Sequence, residues 1–108
     1  MKRGDLYWVN LEPSHAPEFG KIRPGLIISN SDQNVHLPTV VVLPISTQAP
    51  KIWPLRLGFK MPQGRKESFV VVPGIRQVSK QRLQEKIGII SEGFLANVEE
   101  ALTFYLRD

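Results

Sequence analysis

Short runs of apolar residues, bounded by proline, glycine and small polar residues, recur along most of the chain. Residues 5–11 are apolar on both faces near the middle of the run, while residues 25–29, 39–46 and 68–72 are rich in β-branched side chains. Apolar runs of this length between turn residues are typical of strands. We therefore predict a strand in each of these four segments.

Three further runs have the length of short strands. These are residues 55–59, residues 86–90 and residues 75–78, the last of which follow Pro73 and Gly74. Proline and glycine inside a strand pattern indicate a kink or a β-bulge. The chain is therefore predicted to hold about five or six strands in all.

The last part of the chain has helical periodicity. Ser91 has the side chain of an N-cap, and Glu92 suits the first turn because the helix dipole favours a negative charge there. Apolar residues then recur at spacings of three and four, namely Phe94, Leu95, Val98, Ala101, Leu102 and Tyr105. This spacing predicts an amphipathic C-terminal helix. Ser79 is likewise a candidate cap, for a single helical turn over residues 79–82.

The length of the chain and the order of its elements indicate the fold class. A chain of 108 residues has room for one compact core, so we predict a single domain over residues 1–108. Short strands followed by one helix predict an α+β, mainly β fold: a small barrel or twisted antiparallel sheet closed by the C-terminal helix. Residues 14–23 and 47–54 have no period and are predicted to be loops, which in so small a domain are often functional.

The composition argues against several kinds of chemistry. The chain has no cysteine, and its two histidines, His15 and His36, lie in different predicted loops without metal-ligand spacing. Thiolate chemistry and a catalytic metal site are therefore not expected. The glycine patterns of nucleotide-binding folds and the serine hydrolase elbow are also missing from the sequence. We expect neither a metal ion nor a cofactor.

The sequence also bears on location. No apolar run approaches the ~20 residues of a membrane span, and the first residues do not have the pattern of a secretory signal. The lack of cysteine favours a reducing compartment. We expect a soluble, cytoplasmic protein without membrane association.

The charge of the chain is unevenly distributed. The formal net charge is +4, but residues 92–108 are acidic on balance and the rest of the chain is basic. Residues 49–66 contain no acidic side chain and five basic ones, which are Lys51, Arg56, Lys60, Arg65 and Lys66. Such a segment favours an anionic partner, of which nucleic acid is the commonest, although a solvated basic loop has the same composition.

Two predicted strand ends carry groups that suit phosphate chemistry. Arg23 stands just before the second strand, and Ser46, Thr47 and Gln48 stand at or just after the end of the third. Cleavage of RNA by internal transesterification uses the substrate's own 2′-OH as nucleophile, so a protein supplies positioning, proton transfer and charge stabilisation. A guanidinium and a hydroxyl are suited to that task. Taken alone, an arginine and a serine at strand ends are more often structural.

Four segments, in order along the chain, resemble the MazF/PemK family of toxin endoribonucleases. They are residues 3–7 (RGDLY), residues 18–30 (EFGKIRPGLIISN), residues 38–42 (PTVVV) and residues 75–83 (IRQVSKQRL). The resemblance covers almost the whole chain. It implies an SH3-like barrel that forms homodimers and cleaves single-stranded RNA at short sequences without a metal ion. It also implies neutralisation by a cognate antitoxin, which we expect to be acidic and to cover the basic groove near Lys21, Lys51 and Arg56.

The resemblance assigns residues as well. Arg23 matches the family's catalytic arginine, and Ser46 stands where the family usually has threonine, with Thr47 as the neighbouring alternative for the hydroxyl. The residues expected to bind RNA are Glu18, Phe19, Gly20, Lys21, Thr47, Gln48, Lys51, Trp53, Arg56, Arg76 and Gln77. For Arg76 a structural ion pair with Asp5 is the favoured alternative, and for Trp53 it is a position covering the sheet or a dimer seam. His15 is a further candidate for proton transfer, although an exposed loop histidine is the commoner case.

Two other functions fit the same chain. One is a non-enzymatic toxin of the same barrel type that poisons a protein such as a topoisomerase, in the manner of a gyrase poison. The other is an SH3-like module that binds nucleic acid or protein without chemistry. Only the nuclease yields discrete fragments from single-stranded RNA in excess EDTA.

Overall fold

The computed structural model describes residues 1–48, 52, 56–62, 64 and 66–108. Within these residues the chain forms seven strands, two α-helices and two short 3₁₀ turns. The α-helices are α1 (Ser31–His36) and α2 (Glu92–Tyr105), and the 3₁₀ turns are Val72–Gly74 and Lys80–Arg82. The strands are β1 (Asp5–Asn10), β2 (Ile22–Ile27), β3 (Thr39–Ser46), β4 (Arg56–Lys60), β5 (Glu67–Val71), β6 (Arg76–Ser79) and β7 (Leu83–Ile89).

The strands form one antiparallel sheet in the order β4-β5-β3-β2-β1-β7, with β6 also paired to β3. The long strand β3 organises this arrangement, because Thr39 to Val42 pair with β6 while Ile45 and Ser46 pair with β5. In the part of the chain that the structure describes, β4 and β7 stand at opposite ends of the order and the sheet is not closed. The predicted mainly β fold, with a twisted antiparallel sheet and a C-terminal helix, is confirmed in this open form.

Apolar side chains pack on both faces of the sheet. The cluster on the face that α2 covers, called here the helix face, consists of Leu6, Leu26, Leu43, Ile45, Val70, Ile90 and Val98. The cluster on the other face, called here the loop face, consists of Val9, Leu11, Ile27, Val40, Val42 and Val78. Strand β1 contributes to both, and its register against β7 shifts between Leu6 and Val9. The two apolar faces predicted for this strand are therefore confirmed.

Most predicted elements are present with altered ends. Helix α2 begins after Ser91, whose Oγ accepts a hydrogen bond from the backbone N–H of Phe94 at 3.2 Å, as predicted for a cap. Strand β2 starts at Ile22, earlier than residue 25, because Pro24 does not end the strand but lies within it, opposite Trp8. Strand β7 likewise starts before residue 86, at Leu83. Pro73 and Gly74 form a 3₁₀ turn between β5 and β6.

The sequence did not predict helix α1. Its six residues, SDQNVH, contain one apolar side chain and therefore have no apolar periodicity to detect. The signal that was present is Asn30, whose Oδ1 accepts hydrogen bonds from the backbone N–H groups of Asp32 at 2.9 Å and Gln33 at 3.1 Å. Asn30 directly follows the strand predicted over residues 25–29, and an asparagine in that place is also the start signal of a helix.

Candidate active site

Arg23 lies near the start of β2, where the strand leaves the long β1–β2 loop. It pairs with Val9 of β1, and its side chain is half-buried. The Nε–H donates a hydrogen bond to the carbonyl oxygen of Gly20 at 2.9 Å, and the guanidinium carbon lies 5.3 Å from the centre of the Phe19 ring. Both contacts come from the loop that precedes the strand. The guanidinium N–H groups other than Nε–H are those that could donate hydrogen bonds to a phosphate.

Ser46 ends β3 next to this position. Strands β2 and β3 pair Gly25 with Pro44, and the same antiparallel register continued by two residues sets Arg23 opposite Ser46. Since side chains alternate along a strand, both belong to the loop face. The Ser46 hydroxyl is buried, donates to the carbonyl oxygen of Gln48 at 2.7 Å and accepts from the backbone N–H of Gln48 at 3.0 Å. The Ser46 hydroxyl proton is therefore already bonded to the backbone of the protein.

A pocket opens between the β1–β2 loop and the turn that precedes β6, and Phe19, which contacts Arg23, is one of its walls. Its volume is about 470 Å³, and its lining consists of Pro17, Glu18, Phe19, Pro73, Gly74, Ile75 and Arg76. Phe19 thus contacts Arg23 on one side and forms a wall of the pocket on the other. The loop and the turn approach closely at Gly74, where an added Cβ would overlap Pro44 and lie 3.4 Å from Phe19.

Two further arginines hold the start of the β1–β2 loop through its carbonyl groups. Arg76 donates from Nη1 to the carbonyl oxygen of Leu11 at 3.3 Å. Arg82 donates from Nη1 to the carbonyl oxygens of Asn10, at 3.1 Å, and of Glu12. These bonds fix the path of the chain where it leaves β1.

The ion pair expected between Arg76 and Asp5 is wrong. Asp5 instead lies 3.4 Å from the Lys86 ammonium and accepts a hydrogen bond from the backbone N–H of Lys2 at 2.9 Å. β1 and β7 are neighbouring strands, and Lys86 pairs with Tyr7, two positions from Asp5. Arg76 starts β6 and points to the β1–β2 loop. The sequence cannot reveal this difference, because it depends on which strands are neighbours.

The far end of the β1–β2 loop is held by Glu12. Its Oε1 accepts hydrogen bonds from the backbone N–H of Lys21 at 2.6 Å and from the Ser14 hydroxyl at 3.0 Å. These bonds lower the pKa of the Glu12 carboxyl below its ordinary value, the Lys21 N–H having the largest effect. Lys21 has a φ of 64°, the left-handed region, which non-glycine residues adopt at a cost. Glu12 was not among the predicted site residues.

The other predicted RNA-binding residues have different surroundings. The Arg56 guanidinium carbon lies 4.1 Å from the centre of the Phe69 ring, and Phe69 pairs with Ser46 across β3 and β5. Thr47 and Gln48 are exposed just beyond Ser46. Gln77 follows Arg76 on β6, so its side chain points to the other face, and its Nε2 donates to Thr39 Oγ1 at 2.9 Å.

Lys51 and Trp53 lie outside the described residues. His15 is exposed in the β1–β2 loop, and its backbone N–H donates to Glu18 Oε1 at 3.0 Å. Among the residues that the structure describes, no three His, Cys, Asp or Glu side chains form a group that could hold a metal ion.

Neither α-helix in the described part of the chain is both long and apolar enough for a membrane crossing. The fold and the site together define a small, mainly β protein that presents arginines, a buried hydroxyl and a pocket on one face of its sheet. The chain belongs to the PemK-like, MazF-like toxins of type II toxin-antitoxin systems, whose family model matches residues 2–106. The family predicted from the sequence is therefore confirmed.

Relatives of known name and structure agree with this family. The chain is 34% identical to endoribonuclease EndoA of Bacillus subtilis over 114 residues, covering 98% of this chain and 94% of that protein. Its structure resembles the crystal structure of MazF from Deinococcus radiodurans with a TM-score of 0.85, at 24% identity, covering 98% of this chain and 96% of that one. A MazE-MazF structure from the same organism matches with a TM-score of 0.78 at 24% identity, over 98% of this chain and 95% of that one.

Proposed function

We propose that this toxin is an endoribonuclease that cleaves single-stranded RNA through the substrate's own 2′-OH and without a metal ion. The main support is the half-buried Arg23, whose Nε is held by Gly20 and which the β2–β3 register, continued two residues beyond the pair Gly25 and Pro44, sets opposite Ser46. The name of the relative EndoA, an endoribonuclease at 34% identity, supports the same activity.

In this reaction the 2′-oxygen attacks the adjacent phosphorus and the bond from phosphorus to the 5′-oxygen breaks. The products are a 2′,3′-cyclic phosphate and a 5′-hydroxyl. The proton of the 2′-OH passes to solvent, and solvent supplies a proton to the leaving 5′-oxygen. Arg23 stabilises the charge that develops on the phosphoryl oxygens through the N–H groups that Gly20 does not use. A guanidinium offers N–H donors and no acceptor, so Arg23 is assigned to charge stabilisation rather than to proton abstraction.

Ser46 is proposed to donate a second hydrogen bond to the same phosphoryl oxygens. Its hydroxyl proton is bonded to the carbonyl oxygen of Gln48, so this role requires that bond to be exchanged for one to the phosphate. Thr47 is exposed one residue further on, beyond the end of β3. The loop face therefore favours Ser46 over Thr47.

The pocket beside Arg23 is proposed to take a base of the RNA. The Phe19 ring offers a stacking surface, and the exposed Glu18 carboxylate accepts hydrogen bonds from the amino and imino groups of a base. Such contacts would give the enzyme a sequence preference. Arg76 lines the same pocket and adds positive charge.

The flanking phosphates are proposed to lie along the basic and polar groups around this centre. We assign to this path Gly20, Lys21, Thr47, Gln48, Arg56 and Gln77. Lys51 and Trp53, which lie outside the described residues, are proposed as RNA-binding residues from the sequence alone. Gln77 is the weakest member because its side chain is turned to the other face and bonded to Thr39. The binding energy of such a path depends on ionic strength, since each phosphate contact releases counterions.

The basic side of the loop face also suggests which partners the toxin binds. We propose that an acidic antitoxin covers the basic side of the loop face around Lys21 and Arg56 and so competes with RNA. The MazE-MazF structure at a TM-score of 0.78 supports an antitoxin as the partner class. We propose further that residues 1–108 act as one domain, that two copies form a homodimer, and that the toxin acts in the cytoplasm, where its RNA is.

The first test is incubation of the purified protein with single-stranded RNA in excess EDTA. We expect discrete fragments that end in a cyclic phosphate, and on the order of 10²-fold slower cleavage by Arg23→Ala, which loses a preorganised charge-stabilising group. Arg107→Ala is the matched control, because it removes an exposed arginine beyond the end of α2. RNA left intact, or cleavage that depends on added magnesium, would contradict the proposal. Both non-enzymatic alternatives predict intact RNA.

A further inference from the structure

One peptide group connects Glu12 to the candidate catalytic arginine. The carbonyl oxygen of Gly20 accepts the bond from Arg23 Nε at 2.9 Å, and the backbone N–H of Lys21 donates to Glu12 Oε1 at 2.6 Å. This oxygen and this N–H belong to the same peptide unit. The carboxylate and the guanidinium are therefore bonded to opposite ends of a single rigid plane.

This arrangement has an electronic consequence and a geometric one. An anionic acceptor on the N–H end increases the negative charge on the carbonyl end, so the bond to Arg23 is strengthened. The orientation of the plane also decides where the Gly20 oxygen points, and hence where the guanidinium is held. The left-handed φ of Lys21, 64°, is part of this orientation.

Glu12 is itself held firmly. Arg82 donates to its carbonyl oxygen, and its backbone N–H donates to Asn10 Oδ1 at 3.0 Å. The neighbouring Leu11 N–H donates to the carbonyl oxygen of Lys21 at 2.9 Å, which joins the two ends of the loop. The backbone that carries the Glu12 side chain is therefore fixed in position by hydrogen bonds.

The space around the carboxylate also fits this role. An added Cβ at Gly20 would overlap both Glu12 Oε1 and Ser14 Oγ, so the carboxylate lies directly against the backbone of residue 20. The pKa of Glu12 is lowered by the bonds from Lys21 and Ser14, which means that the site favours the charged form.

We propose that Glu12 is a positioning residue that orients Arg23 through the Gly20–Lys21 peptide group. The proposal rests on the proposed function in one respect, that Arg23 is the group that stabilises the phosphoryl charge. Glu12 touches neither the RNA nor the reacting atoms in this account. Its removal should therefore lower kcat and leave KM nearly unchanged.

The test compares Glu12→Ala, Glu12→Gln and the control Glu100→Ala, which removes an exposed carboxylate from α2. We expect kcat to fall about 10-fold in Glu12→Ala, because a small displacement of a catalytic group is costly. Glu12→Gln keeps an acceptor without the charge and should fall between Glu12→Ala and the unaltered protein. Glu100→Ala should have no effect. If Glu12→Ala does not fold, Glu12→Gln carries the same comparison.

A spectroscopic measurement is independent of activity. The ¹H–¹⁵N resonance of Arg23 Nε should move in Glu12→Ala and Glu12→Gln and stay in place in Glu100→Ala. In single-turnover cleavage, adding Glu12→Ala to Arg23→Ala should cause little further loss, because the group through which Glu12 acts is already gone.

Three results would overturn the inference alone: an unchanged Arg23 resonance in Glu12→Ala, a kcat for Glu12→Ala within twofold of the unaltered protein, or a full additional loss in the Arg23→Ala background. Failure of the proposed function is a different result. If Arg23→Ala cleaved RNA at the normal rate, the role of Arg23 would be wrong and the kinetic role of Glu12 would go with it. The resonance would still report whether Glu12 orients Arg23.

Discussion

At the scale of single residues, the chemistry depends on how backbone groups of the β1–β2 loop are used. Gly20 offers its carbonyl oxygen to Arg23, while the next peptide N–H is bonded to Glu12. Arg76 and Arg82 donate hydrogen bonds to carbonyl groups of the same loop. Arg76 and Arg82 thus anchor the loop, and Arg23 is the arginine proposed to stabilise the phosphoryl charge.

The hydroxyl assignment leads to a comparison of two adjacent residues. Ser46→Ala removes the proposed donor and should slow cleavage by about 10²-fold, whereas Thr47→Ala should cost much less. Ser46→Thr keeps the hydroxyl and stiffens the side chain, so its activity should be preserved or raised. Single-turnover rates, with circular dichroism to verify folding, make the comparison. An inactive Thr47→Ala beside a normal Ser46→Ala would reverse the assignment.

The lowered pKa of the Glu12 carboxyl implies that the stability of the folded protein falls at low pH. Its pKa is lowered in the folded protein, so its stabilising contribution is fully present above the ordinary glutamate pKa of about 4.3 and is lost as the pH falls through the lowered value. The Lys21 backbone N–H reports this titration directly. Its NMR shift should change with a midpoint below 4.3, and the change should vanish in Glu12→Gln. A midpoint at or above 4.3 would contradict the described hydrogen bonds.

At the scale of elements, the sheet brings together residues far apart in the sequence. Strand β3 pairs with β2, β5 and β6, and so brings Ser46 near Arg23 while Arg76 faces the pocket on the same side. Helix α2 packs on the opposite face through Val98. Arg23 and Ser46 thus lie on the face away from α2, and the helix comes nearest to the pocket at the Val72–Gly74 turn, which it contacts.

This separation predicts that the helix can be weakened without changing the site. Ser91→Ala removes the N-cap bond to Phe94 and should lower the free energy of unfolding by ~1 kcal/mol. Thr103→Ala, at an exposed position within α2, is the matched control and should change it by less. Urea denaturation measures both. The kcat of Ser91→Ala below its unfolding transition should equal that of the unaltered protein, and a large fall would couple the helix to the site.

The elements that the sequence predicted are those with strong local patterns. Helix α2 has a cap and a long apolar period, and the β-branched runs of β3 and β5 are bounded by turn residues. Helix α1 was missed because its polar residues carry no period. Arg23 and Ser46 were located at strand ends and assigned by resemblance, but their facing positions depend on pairing between strands. Glu12 was missed because its role arises from the path of a loop without periodicity.

At the scale of the whole molecule, several large apolar side chains stay exposed. They are Trp8, Ile22, Val35, Leu37, Ile52, Ile89, Phe104, Tyr105 and Leu106, together with Met1. Exposed apolar surface of this kind is commonly covered by a partner. In this family member we expect a second copy to cover part of it.

Light scattering over a range of micromolar concentrations tests the dimer. We expect a mass near twice the 12.2 kDa of one chain. A mass near 12.2 kDa that does not change with concentration would contradict a homodimer. The measurement is independent of nuclease activity, so it examines the assembly alone.

Whether the substrate's own 2′-OH is the nucleophile can be decided with one modified RNA. After the cut has been mapped on an unmodified single strand, the same strand is made with a single 2′-deoxy substitution in the nucleotide 5′ to that phosphate. In excess EDTA we predict that the unmodified strand is cleaved to a cyclic phosphate and that the substituted strand stays intact at that bond. Cleavage of the substituted strand at the same bond would contradict the account.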